Sequence, residues 1–323
     1  MSLIEQAAKR LEQLRKAGVE IPRSTAEIDQ AAGDTATQSF AQLAPESTST
    51  APTAPPVVRP VAQMSADAPV SRRIEIDLNA LSATGLISPD APRSQLADQY
   101  RVIKRPLIAN AMGKGAAPIK RGNLIMVTSA ISGEGKSFSA INLAMSVAME
   151  LDNTVMLVDA DVPKPSVLKM LRLPPARGLL DVLTDPSVDL SQVLMRTNID
   201  KLSILPSGTQ HPRATELLAS EAMIKLLDEM ANRYPDRIII FDSPPLLMTT
   251  ESRVLASHMG QVVVVVKAES TVRSDVRHAL AAIEACPVKL MLLNQARAAT
   301  QDGYGYGYGY GYGYGYGYGS DGA

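Results

Sequence analysis

The chain has 323 residues and a formal net charge of −1, and 46% of it is apolar although it holds no Trp and only three Phe. The near-neutral balance excludes recognition of nucleic acid or an anionic membrane by bulk charge, and the core must be built from aliphatic side chains. One cysteine, Cys286, excludes an internal disulfide framework, and the longest apolar runs fall far short of the roughly 20 residues of a membrane helix.

Residues 3–17 place Leu3, Ile4, Ala7, Leu11 and Leu14 on one helical face, with Glu5, Lys9, Arg10 and Lys16 elsewhere. This predicts an amphipathic helix over 1–20, read either as a docking or self-association helix or as a weakly formed terminus. The segment is charged and lacks the uninterrupted apolar core of a secretory signal, so a cytoplasmic protein is expected, with membrane contact coming through a partner. Residues 21–71 turn to Ala, Pro, Ser, Thr and Gln and are read as a disordered, flexible linker.

Order is expected from residue 72 to 302. RRIEIDL alternates like an edge strand, and SQLADQYRVIKRPLIANAM reads as a helix with a stop or kink at Pro106. The strands NLIMVTSA, TVMLVDAD, KLSILPSG, RIIIFDSPP, QVVVVVKA and VKLMLLNQ alternate with the helical stretches KSFSAINLAMSVAMEL, SVLKML, TELLASEAMIKLLDEMANRY, VLASHM and SDVRHALAAIEA. Apolar strands alternating with amphipathic helices specify an α/β fold, a mostly parallel sheet with helices on both faces. From Gly303 the pattern becomes a Gly-Tyr repeat, which fills a separate tail over 303–323.

LIMVTSAISGEGKSFSAINLA carries the strongest chemical signal, a buried strand feeding a glycine loop that opens a helix at Lys136-Ser137. That is the setting of a P-loop, although Ala130 stands where G-x-x-x-x-G-K-[ST] has its first glycine. Gly133 and Gly135 let backbone N–H groups turn onto phosphate oxygens, and the helix N-terminus adds partial positive charge. Lys136 can neutralise phosphate oxygens, and Ser137 can offer its hydroxyl to Mg²⁺. Nucleotide binding is therefore placed on Gly133, Glu134, Gly135, Lys136, Ser137 and Phe138. Asp159 and Asp161 end one apolar strand and Asp242 ends another, so all three should converge on the loop at the carboxyl edge of the sheet. Carboxylates there can hold Mg²⁺ or take a proton from a nucleophile.

SGEGKS, MLVDAD, IIIFDSPP and the terminal tyrosine cluster, in that order, resemble the bacterial tyrosine kinases (BY-kinases), P-loop enzymes unrelated in fold to the protein kinases of higher cells. The resemblance covers residues 72–323, and RVIKRPLIANA, ATELLAS and FDSPPLLMTTES look closest to the exosortase-associated tyrosine autokinases of exopolysaccharide gene clusters. It implies an ATP- and Mg²⁺-dependent autokinase with Lys136 on the phosphates, Ser137 and Asp161 at the metal, Asp242 on the metal directly or through water, and Asp159 as proton acceptor. The tail residues Tyr304, Tyr306, Tyr308, Tyr310, Tyr312, Tyr314, Tyr316 and Tyr318 would be the phosphoacceptors. Asp98, Arg101 and Lys104 are a conservative form of the family's E-x-x-R-x-x-R self-association motif, which implies a ring-type homo-oligomer. Asn294 matches the place where related P-loop ATPases contact adenine. The implied partners are a membrane chain-length determinant (polysaccharide co-polymerase) as activator and a phosphotyrosine phosphatase, with recruitment to the inner face of the plasma membrane and no nucleic acid. A basic residue that usually lies two places after D-x-D is here Pro163, with Lys164 one place later.

The competing reading is a positioning ATPase of the ParA/MinD kind, which shares the fold and the acids. Its signature lysine, five residues before Lys136, is here Ile131, and it has no tyrosine tail. A third reading makes the Gly-Tyr repeat a cohesive low-complexity tract. His211, His258 and His278 show no metal-ligand spacing, and Cys286 reads as a small buried hydrophobe.

Overall fold

A computed structural model of the chain describes residues 72–90, 94–233 and 236–296. The expected N-terminal helix (1–20), the linker (21–71) and the tyrosine tail (303–323) lie outside the described residues.

Seven strands make one sheet: β1 (Leu124–Ser129), β2 (Thr154–Asp159), β3 (Met195–Arg196), β4 (Leu202–Leu205), β5 (Arg237–Asp242), β6 (Gln261–Lys267) and β7 (Val288–Asn294). Their order is β3-β4-β2-β5-β1-β6-β7, and every neighbouring pair is parallel except β3 with β4. The central strands are unbroken apolar runs because both faces are covered, and β1 is buried at every position. Alternate residues feed two cores. Ile125 and Val127 join Val155, Leu157, Ile238 and Ile240 on one face, while Leu124 and Met126 join Met156, Val158, Ile239 and Phe241 on the other.

The first face is covered by α1 (Leu78–Ala83), α2 (Gln95–Ala111), α3 (Lys136–Ala148) and α4 (Val167–Met170), which contribute Leu81, Leu107, Ile141 and Val167. The second carries α5 (Leu179–Thr184), α6 (Leu190–Val193), α7 (Ala214–Leu218), α8 (Glu221–Arg233), α9 (Glu251–Ser257) and α10 (Arg273–Ala282), through residues such as Leu179, Val193, Leu218, Leu227, Leu255 and Ala279. Helix α3 is buried from Ser139 to Ala148, as a helix covered by both sheet and neighbouring helices must be.

Four expectations change. The RRIEIDL strand reduces to one bridge between Arg73 and Arg196, because the Asp77 carboxylate accepts the Ala80 N–H and starts α1 at once. Helix α2 runs through Pro106 without stopping. The missing N–H would have bonded the carbonyl of Val102, a residue 72% exposed, where water can take its place. The long TELLASEAMIKLLDEMANRY helix is two, since the Ser220 hydroxyl donates to the Leu217 carbonyl and accepts the Met223 N–H between α7 and α8. Elements α5, α6 and the antiparallel β3 were not anticipated.

The consequence for function is geometric. β1, β2 and β5 lie side by side and all run the same way, so Ser129, Asp159 and Asp242 end on one rim, and Asp159 and Asp242 are direct register partners. Among the described residues, no helix is long and apolar enough to cross a membrane.

Candidate active site

The loop after β1 turns through Gly133 (φ 86°) and Gly135 (φ 94°), both in the left-handed region that glycine alone adopts without strain. Gly135 is doubly constrained, because a Cβ there would come within 2.1 Å of Asn294 Nδ2. Asn294, at the end of β7, donates to the Glu134 carbonyl at 2.9 Å and so fixes the loop from the far side. Glu134 is buried, and its side chain points away from the phosphate position. One carboxylate oxygen accepts the Ile131 N–H at 2.8 Å, and the other accepts the Thr271 hydroxyl and the Lys267 N–H. Glu134 therefore offers a nucleotide its backbone only, while its carboxylate ties the loop to the end of β6.

Lys136 and Ser137 open α3 beneath the loop. The Lys136 ammonium lies 2.5 Å from Asp161 Oδ2, and Asp161 Oδ1 accepts the Lys164 N–H. A cavity of about 490 Å³ above them is lined by Gly133, Lys136, Ser137, Phe138, Asp161 and Lys164, among others. Lys164, one place beyond Pro163, lines this cavity.

Ser166, unforeseen from the sequence, joins the acids to the loop. Its hydroxyl donates to Ser137 Oγ at 2.8 Å and lies 3.5 Å from Asp242 Oδ2, and its N–H donates to Asp159 Oδ2. The Val167 N–H donates to that same oxygen at 3.0 Å. The sequence shows only that a serine opens SVLKML a few residues after D-x-D, which does not by itself mark it as a bridge.

Asp159 and Asp242 are sealed from water, and each keeps one oxygen, Oδ1, that accepts no hydrogen bond of ordinary geometry. Burial pushes the Asp159 carboxyl up to about 6, against the pull of the Val167 and Ser166 N–H groups. Burial pushes Asp242 to about 7, with the Lys136 charge pulling down and the neighbouring carboxylate of Asp159 pushing up. The unsatisfied Asp242 oxygen, next to the Ser137–Ser166 hydroxyl pair, suits a divalent cation. Among the described residues no three His, Cys, Asp or Glu side chains converge as metal ligands, so Mg²⁺ there would draw its remaining oxygens from water and phosphate, its usual preference. Beyond Asp159 a second cleft of about 920 Å³ opens between the α4 segment and the Ser207–Gln210 turn.

Two further groups of sequence candidates are placed. On α2, Asp98 and Arg101 form an exposed ion pair, whereas Lys104 is turned inward, its ammonium 2.5 Å from the Ser146 carbonyl and 2.6 Å from Glu150. Cys286 is buried, and burial raises its thiol pKa, which leaves it a small core residue.

A parallel sheet with this glycine loop, lysine, serine and converging acids defines a P-loop nucleotide-binding protein. Residues 122–290 match the AAA domain family described as AAA_31. The tyrosine-protein kinase YwqD of Bacillus subtilis (strain 168) is 32% identical over 206 residues, 64% of this chain and 83% of that one. The putative tyrosine-protein kinase CapB of Staphylococcus aureus is 28% identical over 59% of this chain and 79% of its own. The crystal structure of the chimerical protein CapA2B2 superposes with a TM-score of 0.54 at 27% identity, covering 69% of this chain and 93% of that one. The chain belongs to the bacterial tyrosine-protein kinases.

Because the folded state raises both carboxyls, it holds protons that the unfolded chain releases near 3.8, and stability falls as pH climbs from there to about 7. Asp242→Asn removes part of that cost. In nucleotide-free, metal-free protein it should raise the melting temperature at pH 8, at about 2–4 °C per kcal/mol recovered, and make little difference near pH 4. An unchanged or lower melting temperature at pH 8 would contradict the buried-charge assignment.

Proposed function

We propose that the chain transfers the γ-phosphate of ATP to the tyrosines of C-terminal tails, its own or a neighbour's. The observation that carries this reading is Asp159. It is the register partner of Asp242 on the rim where the P-loop begins, it keeps one buried oxygen without a hydrogen-bond partner, and it lines the 920 Å³ cleft, so a single carboxylate joins the nucleotide rim to a place for an acceptor.

In this reading the backbone N–H groups of the Gly133–Gly135 loop and the Lys136 ammonium hold the β- and γ-phosphates, and Lys136 shares its charge between them and Asp161. A bound Mg²⁺, held by Ser137, Asp242 and Asp161 with Asp242 acting directly or through water, would neutralise phosphate charge. Asp159 Oδ1 takes the proton of the incoming tyrosine. The phenolic oxygen then bonds to the γ-phosphorus as the bond to the β-phosphate oxygen breaks, giving phosphotyrosine and ADP. A free tyrosine has a pKa near 10, so proton transfer to a carboxylate near 6 is about 5 kcal/mol uphill in the ground state. The proton must therefore leave as the P–O bond forms. Burial that lifts Asp159 from 3.8 to about 6 narrows the mismatch.

Asn294 borders the loop where an adenine would lie. Self-association would use the exposed Asp98–Arg101 pair on α2, with Lys104 supporting the helix from inside. A membrane chain-length determinant would recruit and activate the kinase at the inner face of the plasma membrane, a phosphatase would reset the tail, and the output would be control of exopolysaccharide chain length and export.

Lys136→Met should lower tail phosphorylation on the order of a hundredfold or more. Asp159→Asn should keep nucleotide affinity and slow transfer, whereas Asp161→Asn should weaken the response to Mg²⁺. Single-turnover rates across an Mg²⁺ titration separate the two, and identical effects would undo the division of roles. In the tail, changing any one tyrosine to Phe should leave total phosphorylation nearly intact, while changing all eight from Tyr304 to Tyr318 should abolish it. Unchanged phosphotyrosine in that eightfold variant, read by mass spectrometry, would defeat the substrate assignment.

A further inference from the structure

The cleft beyond Asp159 has a composition that acceptor binding alone does not require. Among the described residues Asp159 is its sole acid, and its lining includes Leu168, Leu173 and Pro175 together with Lys169, Arg172 and Arg177. Arg177 leans on Asp181 at 3.7 Å and Asp185 at 4.0 Å, but among the described residues Lys169 and Arg172 enter no ion pair. Both are exposed, and Arg172 holds a left-handed backbone (φ 56°), which a non-glycine residue adopts at a cost. Compensation of a helix dipole explains them poorly, since α4 has only four residues. The nucleotide does not need them either, because the phosphate cavity has its own cations, Lys136 and Lys164.

We propose that this cleft binds phosphotyrosines already made on the tail, so that the first phosphate primes the next. The inference rests on the kinase reading above and specifies how its substrate is held. Apolar walls beside unpaired cations suit a side chain that is an aromatic ring ending in a dianion. The tail can supply that group two residues from an acceptor tyrosine. Along an extended chain, residues two apart point the same way and lie about 6.6 Å apart, so a Gly-Tyr repeat bound in extended form would present successive tyrosines on one side. A tyrosine at Asp159 therefore carries the adjacent phosphotyrosine toward the cleft.

The charge balance also limits the effect. Before phosphorylation the repeat offers Lys169 and Arg172 no anion. One phosphate brings about −1.5 to −2 and matches the two cations, whereas eight would bring roughly −12 to −16. Priming thus saturates after one or two phosphates, and further charge drives the tail out. The cleft makes the early steps self-accelerating and the late ones self-terminating.

The test uses the full chain with its eight tail tyrosines changed to Phe, so that added peptides do not compete with the tail. Two synthetic Gly-Tyr peptides are compared, identical except that the residue two places from the acceptor is Phe in one and phosphotyrosine in the other. The primed peptide should show a KM lower by about threefold to fivefold, the worth of an exposed ion pair, and the advantage should fade as ionic strength rises. Lys169→Glu with Arg172→Glu should reverse the preference. The readout is the ratio between peptides within each protein, so a general loss of activity does not mimic the result. Turnover of both peptides with equal KM, or a preference unaltered in the charge-reversed variant, would overturn the priming site and leave the kinase reading intact. Turnover of neither would remove the kinase reading and this inference with it.

Discussion

Two carboxylates, Asp159 and Asp242, end adjacent parallel strands in direct register and are closed off from water, an arrangement that is unfavourable until a cation joins it. The rest of the site answers that constraint. Lys136 approaches from the start of α3 but is already engaged by Asp161, so it relieves the pair only in part. Ser166 spends its N–H and hydroxyl on Asp159 and Ser137, which fixes the positions of the acids without neutralising them. The result is a rim that stores electrostatic cost in the empty protein and can release it when metal and phosphate arrive.

The loop opposite is held with comparable care by groups that never face the nucleotide. The Glu134 carboxylate binds Ile131, Lys267 and Thr271, and Asn294 closes on the Glu134 carbonyl at the one position where a side chain on residue 135 could not fit. The P-loop is thereby fastened to the ends of β6 and β7. Backbone N–H groups fixed in this way need no reorganisation when phosphate arrives, which is the condition under which such donors are most effective.

The amount of this legible in the sequence follows from where each feature is encoded. Strands buried on both faces are written as apolar runs, and the glycine loop and terminal acids are local motifs, so the sheet, the loop and the three aspartates could be read directly. Contacts between distant segments could not. Nothing local marks Ser166 as the bridge between Ser137 and Asp159, or turns the Glu134 carboxylate inward, or sends Lys104 to Glu150 while Arg101 stays outside. Helices α5 and α6 are too short for a 3.6-residue period to show, and Pro106 interrupts a pattern without interrupting the helix, because tertiary packing at Tyr100 and Leu107 outweighs one lost hydrogen bond.

The central claim is that this buried acid–lysine cluster moves phosphate to tyrosine rather than to water. It is tested most directly by incubating the purified full-length chain with Mg-ATP and following ADP, intact mass and phosphosite position together. The account predicts that phosphate accumulates between Tyr304 and Tyr318 and that early ADP formation matches it mole for mole. Steady ADP release with no phosphotyrosine in the tail would contradict it and leave a nucleotide-hydrolysing switch on the same fold.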